Sequence, residues 1–261
     1  TLMGGDGGVF LGIERPDWAP AQPPLARGSV YAVTGDNVSV AAGRVSFALG
    51  LHGPCASFET ACSASLVASH SAARALQHAE CDVHLAAGVN LMLVQASSIG
   101  MAIACMTSVA GRCHTFDSRA DGFCRGEGCS AAVIRMSKAL GTRRVDLRGS
   151  AVRQDGRSVS LTAPNGQAQQ GLLVAAIRDA GVAADALSLH EAHGTGTALG
   201  DPTEAGALAA VHGADGRTLP VVVGAAKASV GHSEACSGQV GLLKAQWQLA
   251  GTMALGNAHL R

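Results

Sequence analysis

The sequence predicts an α/β fold with much parallel strand pairing. The first observation behind this is an alternation. Short apolar runs bounded by turn residues alternate with segments whose apolar residues recur at helical spacing. The second is composition: 48% hydrophobic and 15% charged residues mean that most of the chain folds. The third is that aromatic residues make up only 3% while 34 residues are glycine, so the core must come from Ala, Val, Leu and Ile on closely packed backbones. The 261 residues suffice for one large domain or two small ones.

The elements follow in order. "LGIERPDWAPAQPPLARGS" (11–29) carries four prolines and reads as a surface loop. "SVAAGRVSFALGLHGP" (39–54) fits a helix running into a tight turn at Gly53-Pro54. "ACSASLVASHSAARALQHAE" (61–80) places Leu66, Val67, Ala73 and Leu76 at helical spacing, and "CDVHLAAGVN" (81–90) follows as a short strand. "SAAVIRM" (130–136) and "VDLRGSAV" (145–152) read as strands around a turn at "KALGTRR" (138–144). "QAQQGLLVAAIRDAG" repeats Leu172, Leu173, Ala176, Ile177 and Ala180 on one helix face and stops at Gly181. "SLHEAHG" (188–194) is a strand entering a glycine loop. Beyond it, Asp201 reads as an N-cap, Pro202 as N1 and Glu204 as N3 of a capping box. "PVVVGAA" (220–226) reads as a buried strand and "SGQVGLLKAQWQLAG" (237–251) as a helix.

Zero formal net charge and a near-neutral pI suggest no nucleic acid or other polyanion as partner. No apolar run reaches membrane-spanning length, and no signal peptide is visible. The chain begins at Thr1 and reads like an interior segment, so any leader would be lost. The eight cysteines (55, 62, 81, 105, 113, 124, 129 and 236) form no C-x-x-C. They read as reduced and intracellular, with disulfides the weaker alternative. Cys113, His114, Cys124 and Cys129 could be grouped as zinc ligands, but their spacing argues against it.

Three stretches carry candidate chemistry. In "ETACSASL", Cys62 sits among small residues directly ahead of a helix. The positive end of the helix dipole favours its thiolate, small neighbours leave room for a carbonyl, and its backbone N–H could face an oxyanion. The alternative is a buried structural cysteine, which the other seven resemble. In "EAHGTGT", His193 follows a strand end, where α/β folds place functional groups; a packing histidine is the alternative. In "KASVGHSEACSG", Lys227 and His232 lie between strand and helix, and Lys227 could pair with Glu234; a surface ion pair beside a loop histidine is the alternative. "GHSEA" also approximates a nucleophile elbow with Ser233. Against that, Ala235 stands where glycine is needed, and only His259 follows. Cys62, His193 and His232 would serve a cysteine hydrolase or an acyl transferase, and spacing does not separate the two. Two histidines exceed what a thiolate activator needs, since two neutral N–H donors can hold an enolate oxygen.

"TACSAS", "EAHGTGT" and "KASVGHSEA", in this order, resemble the three active-site motifs of β-ketoacyl synthases, above all the ketosynthase domains of polyketide synthases. "GVFLGI", "TGDNVSVAAGRVSFALGLHGP", "TFDSRADGFCRGEG", "TAPNGQAQQ" and "GDPTEA" agree, so the resemblance covers essentially the whole chain. It implies a thiolase-like fold: two similar α/β halves in a five-layer α-β-α-β-α arrangement, as a homodimer. The halves would divide into 1–143, with the nucleophile, and 144–261, with both histidines. Cys62 would accept an acyl chain from the phosphopantetheine of an acyl carrier protein. His193 and His232 would promote decarboxylation of a malonyl thioester and hold the enolate, with Lys227 and Glu234 in support and the Cys62 N–H in the oxyanion hole. No metal and no directly bound cofactor are implied, and the location would be cytoplasmic.

Departures from the family pattern are mild within the motifs: Glu59, Ala228, Val230 and Cys236 stand where Asp, Ser, Ile and Ala are common. At the ends they are larger. An N-terminal strand and helix and a C-terminal Gly-Phe-Gly-Gly loop are missing, so the chain reads as a truncated piece of a longer synthase. The alternatives are a thiolase acting on coenzyme A thioesters, a fatty-acid synthase ketosynthase, and a catalytically incomplete fragment serving dimer packing.

Overall fold

The structure is a computed structural model that describes residues 4–15, 17–136, 145–213 and 217–260. The chain divides into two compact units. The first comprises Thr1–Ile103, Arg125–Thr142 and Ser233–Val240; the second comprises Ala104–Cys124, Arg143–His232 and Gly241–Arg261.

In the first unit, β1 (Gly7–Ile13) pairs in parallel with β2 (Cys55–Phe58) on one side and β3 (Val83–Asn90) on the other. The sheet order is β2-β1-β3-β4, and β4 (Gly128–Arg135) runs antiparallel to β3. The expected surface loop at 11–29 begins inside β1 and then carries the short helix α1 (Trp18–Ala21); α2 (Ala32–Asp36) follows. Helix α3 (Val38–Leu49) is N-capped by Asn37, whose side chain accepts from the Ser39 N–H, and it ends at the left-handed Gly50. Its Ala41 and Ala42 pack with Val9, Leu11 and Leu51 on one sheet face. The other face takes α4 (Ala64–Gln77), where Ala68, Ala72 and Ala75 meet Phe10 and Ala86. Helix α5 (Gln95–Ile103) closes this stretch.

The helix expected in 61–80 forms, and its buried face is made mostly of small residues. Ala64, Ser65, Ala68, Ser69, Ala72, Ala75 and Leu76 are buried, whereas Leu66 is 45% exposed. The cause is distance. A Cβ on Gly12 would lie 2.3 Å from the Ser65 nitrogen, and one on Gly88 would lie 2.7 Å from Ser65 Cβ. Around Ser65, helix and sheet approach so closely that no larger side chain fits between them, while further along the helix Phe10 fits against Ala68, Ala72 and Ala75.

In the second unit, α6 (Gly166–Ala180) carries its half-buried Leu172, Leu173, Ala176, Ile177 and Ala180 on the expected face and ends at Gly181, with φ 64°. Strands β5 (Leu189–Glu191) and β6 (Val222–Gly224) pair in parallel, and α7 (Gly200–His212) lies between them in sequence. β6 is less buried than expected, with Val222 41% exposed. The four-residue helix α8 (Lys227–Val230) follows, and α9 (Ser237–Gly251) has its first turn in the first unit. The strand expected at 145–152 does not form. That stretch is tied to the end of α6: the Ser150 N–H donates to Asp179 Oδ2 at 2.9 Å, and a Cβ on Gly149 would meet the Ala180 nitrogen at 2.3 Å. An extended segment is a strand only when a neighbour completes its ladder. The turn expected at 138–144 lies outside the described residues. Among the described residues no helix is long and apolar enough to cross a membrane.

Candidate active site

Cys62 belongs to the first unit. β2 leads through Glu59 and Thr60 into a 3-10 turn, Ala61–Ser63, and α4 starts at the next residue. Ser63 Oγ closes the turn by donating to the Thr60 carbonyl at 2.8 Å. Ala61 is held at φ 51°, a conformation that L residues other than glycine rarely adopt. Cys62 follows it, half-buried. No side chain caps the start of α4, so the positive end of its dipole is left to whatever stands beside the thiol. A second 3-10 turn, Glu234–Cys236, opens α9, and Ser237 Oγ donates to the Cys62 carbonyl at 3.3 Å.

Glu234 is 5% exposed and grips Arg125 with both oxygens, Nε to Oε1 at 2.5 Å and Nη2 to Oε2 at 3.0 Å. Arg125 in turn donates to Ser98 Oγ at 2.6 Å. Arg125 lies within "TFDSRADGFCRGEG", but nothing in that stretch assigns it a role. Its partner is 109 residues away, so no local pattern announces the pair. Ser233, the rival nucleophile, is buried, and its hydroxyl faces the Cys236 thiol rather than a basic group. A serine without a base is not activated.

The second unit holds His193, His232 and Lys227. The backbone turns after His193 through Gly194 (φ 47°) and Gly196 (φ 80°). Side chains there would collide: a Cβ on Gly194 would lie 2.5 Å from Thr115 Cγ2, and one on Gly196 would lie 2.8 Å from the His114 nitrogen. Two carboxylates hold this loop. Glu204 accepts from the His193 N–H at 2.6 Å and the Gly194 N–H at 2.8 Å. Asp201 accepts from the Gly196 N–H at 3.0 Å, the Thr197 N–H at 3.3 Å and the Phe116 N–H at 2.7 Å. The expected capping box is therefore corrected. α7 starts at Gly200, its N-cap is Leu199 without a side-chain bond, and the two acids serve the loop instead. Loop amides turned inward by the glycines have no ladder partner, and buried amides require acceptors. Burial raises the Glu204 pKa, and the two amides and Lys227 offset part of the rise.

His232 is 4% exposed. Its N–H donates to the Cys124 carbonyl at 2.7 Å, and its ring stands edge-on to Phe123 at 5.0 Å. The rings of His193 and His232 lie 5.7 Å apart at 89°. Lys227 is 6% exposed, and its Nζ sits 3.4 Å from His193 Nδ1. An ammonium only donates, so His193 Nδ1 accepts and its proton resides on Nε2. The His193 ring has an open side, yet the protein packed behind it lowers its pKa to about 3, with the Lys227 charge adding to the effect of burial. His193 is thus a neutral imidazole at neutral pH, with Nε2–H as a donor. Of the residues expected as a Lys227–Glu234 pair, Lys227 stands beside His193 in the second unit and Glu234 binds Arg125 in the first.

A sheet covered on both faces, a cysteine at a helix start and a pair of imidazoles behind glycine turns define a thiolase-like protein. The chain matches the β-ketoacyl synthase N-terminal domain over residues 1–139 and the β-ketoacyl synthase C-terminal domain over residues 145–261, and it belongs to the β-ketoacyl synthase family. It is 41% identical, over 99% of its length, to a mycocerosic acid synthase-like polyketide synthase of Mycolicibacterium smegmatis, of which it covers 12%. It is 43% identical, over 94% of its length, to a phenolphthiocerol synthesis polyketide synthase of type I from Mycobacterium marinum, of which it also covers 12%. Among solved structures, the oxazolomycin ketosynthase domain of Streptomyces albus superposes with a TM-score of 0.90 at 31% identity, covering 98% of this chain and 46% of that one. The ketosynthase from module 6 of the Bacillus subtilis bacillaene synthase gives 0.82 at 32% identity, covering 100% of this chain and 47% of that one. The chain thus spans about an eighth of these curated relatives and under half of these solved ketosynthase chains.

Proposed function

We propose that the chain is the ketosynthase of a polyketide synthase, an acyltransferase that forms a carbon–carbon bond by decarboxylative condensation. The observation that carries this is the second unit's pair of imidazoles, with His193 neutral and its proton on Nε2, away from the Lys227 contact at Nδ1. A thiolate activator needs one imidazole, and ideally a basic one. A neutral N–H donor at His193, with the second imidazole of His232 beside it, suits an enolate oxygen.

Cys62 takes the acyl group from the phosphopantetheine thioester of an acyl carrier protein, releasing the carrier thiol. A malonyl thioester on a carrier protein then loses carbon dioxide, and the electron pair of the broken bond passes into an enolate held by His193 and His232. The enolate carbon attacks the Cys62 thioester, with the Cys62 N–H facing the oxyanion. The carbon–sulfur bond breaks, the β-ketoacyl chain leaves on the carrier, and Cys62 returns as a thiolate. Lys227 and Glu234 support without reacting, Lys227 by fixing the His193 tautomer and Glu234 by its grip on Arg125. We assign the chain's halves to 1–143 and 144–261, a homodimeric assembly and a cytoplasmic location to the same reading. The polyketide rather than fatty-acid pathway is supported by the names of the curated relatives.

The test is acylation followed by condensation. The protein is incubated with an acyl-phosphopantetheine thioester and the adduct is located by peptide mapping, with Cys62→Ala as control. Malonyl carrier protein is then added and carbon dioxide release is followed. An adduct confined to Cys62 and acyl-dependent carbon dioxide release are expected. Adducts elsewhere in a folded protein, or none, would remove the nucleophile from the scheme.

A further inference from the structure

We propose that Glu191 is a positioning residue, clamped by Lys244, that sets the distance between His193 and Lys227; this deepens the condensation reading and rests on it. Glu191 is the last residue of β5, and His193 comes two residues later. Its register partner on β6 is Gly224, and Lys227 comes three residues after that. The ladder continues one bond further, from the Ala192 N–H to the Gly224 carbonyl at 2.7 Å. There the two strands part, one toward His193 and the other toward α8.

The Glu191 side chain bridges the point of parting. Its Oε1 accepts from the Ala226 N–H, the residue just ahead of Lys227, and its Oε2 accepts from Lys244 Nζ at 2.6 Å. The side chains of Lys244 and Glu191 are only 17% and 10% exposed. Two glycines make room for them. A Cβ on Gly224 would lie 3.2 Å from Lys244 Nζ, and one on Gly241 would lie 3.1 Å from Glu191 Cγ. A carboxylate enclosed this way has little freedom, so it fixes the Ala226 backbone relative to the strand that leads to His193. The quantity it fixes is the 3.4 Å contact of Lys227 Nζ with His193 Nδ1, which sets the His193 tautomer. Positioning errors of about 1 Å lower rates on the order of 100-fold.

The test reads His193 directly, so it does not depend on turnover. The His193 ring resonance is assigned with the His193→Gln variant and titrated by NMR in wild type, Glu191→Ala, Glu191→Gln and Lys244→Met. With the clamp removed, Lys227 drifts from His193, and the His193 pKa should rise from its depressed wild-type value. Glu191→Gln keeps an acceptor for Ala226 but turns an amide toward Lys244, so it should fall between wild type and Glu191→Ala. Carbon dioxide release should drop on the order of 10- to 100-fold in Glu191→Ala, while Cys62 acylation stays within about twofold. If Glu191→Ala does not fold, Glu191→Gln and Lys244→Met give the same reading. A His193 titration in the folded variants that superimposes on wild type overturns the proposal. A shifted titration in a protein whose wild type releases no carbon dioxide upholds the clamp and sinks the condensation reading instead.

Discussion

The starts of α4 and α9 are built alike and used differently. Each helix opens from a 3-10 turn with no side-chain cap, and each turn begins on a non-glycine residue at positive φ, Ala61 at 51° and Glu234 at 44°. Both carry the tripeptide Ala-Cys-Ser, as Ala61-Cys62-Ser63 and Ala235-Cys236-Ser237. They lie side by side: the Gln239 N–H donates to Ser65 Oγ at 3.1 Å. Cys62 is half-buried, whereas Ala235 and Cys236 are both 0% exposed. Burial pushes the Cys236 thiol pKa up, and Ser130 Oγ covers its sulfur at 3.1 Å. The tripeptide sits one residue later in the second turn, so the residue equivalent to Cys62 is the buried Ala235, and Cys236 falls at the third position, where its sulfur is covered. Reactivity follows from what covers the sulfur, not from the tripeptide.

The largest expected effect tests that statement. A small thiol-selective alkylating reagent should modify Cys62 at least about 100-fold faster than Cys236 in the folded protein, because a thiol raised and enclosed by apolar surroundings is inert. Peptide mapping over a time course gives both rates. Cys236→Ala should leave Cys62 acylation unchanged, while Cys62→Ala abolishes it. Comparable rates at the two sulfurs would end the comparison.

The next effect is on stability. Glu234 at the α9 start is held by Arg125. Arg125→Met takes from a buried carboxylate its bidentate partner and should destabilise the protein by about 3–5 kcal/mol. Arg125→Met with Glu234→Gln together should lose less than Arg125→Met alone. Urea unfolding of the variants measures both. Equal midpoints for wild type and Arg125→Met would show that the pair contributes nothing.

The second unit repeats the contrast between covered and open groups with imidazoles. Burial lowers the pKa of His190 to about 4 and that of His212 below its ordinary value, while His193 is lowered to about 3 behind an open face. A histidine whose folded pKa lies below its unfolded value stabilises the fold fully above the unfolded value. That stability is lost as pH falls from about 6.5 toward the folded pKa. Unfolding free energy should therefore decline progressively below about pH 6.5, and less steeply in His190→Gln. A loss confined to below pH 4 would assign acid sensitivity to carboxylates instead.

The motifs that carry Cys62, His193 and His232 were legible because each is local: a helix start or a glycine turn is written in neighbouring residues. The partners were not. Arg125 meets Glu234 across 109 residues, and Lys244 meets Glu191 across 53. Asp201 and Glu204 were legible as acids near a helix start, but their targets are loop amides that the glycines turn inward. The helix of α4 was legible from its spacing, but its small-residue buried face was not. Helical spacing picks out the larger apolar residues, whereas the close approach at Ser65 is set by glycines 12 and 88 on two strands distant in sequence.

The smallest effect discriminates most finely between the two helix starts. Ala61→Gly removes a left-handed strain on the order of 1–2 kcal/mol and adds roughly 0.5–1 kcal/mol of unfolded-chain entropy. The net is a gain of about 0.5–1 kcal/mol. Glu234→Gly removes the same strain but takes from Arg125 its bidentate carboxylate, so it should destabilise by about 2 kcal/mol or more. The two substitutions are alike in backbone and opposite in sign. Function should split them as well: Ala61→Gly loosens the residue ahead of Cys62, so acylation should slow about two- to fivefold although the fold is firmer. If both variants gain stability, the Arg125–Glu234 pair carries no weight and the two starts are equivalent. If Ala61→Gly loses stability, the positive φ at Ala61 is not a strain that glycine relieves, and the rigid presentation of Cys62 must come from the Ser63–Thr60 contact instead.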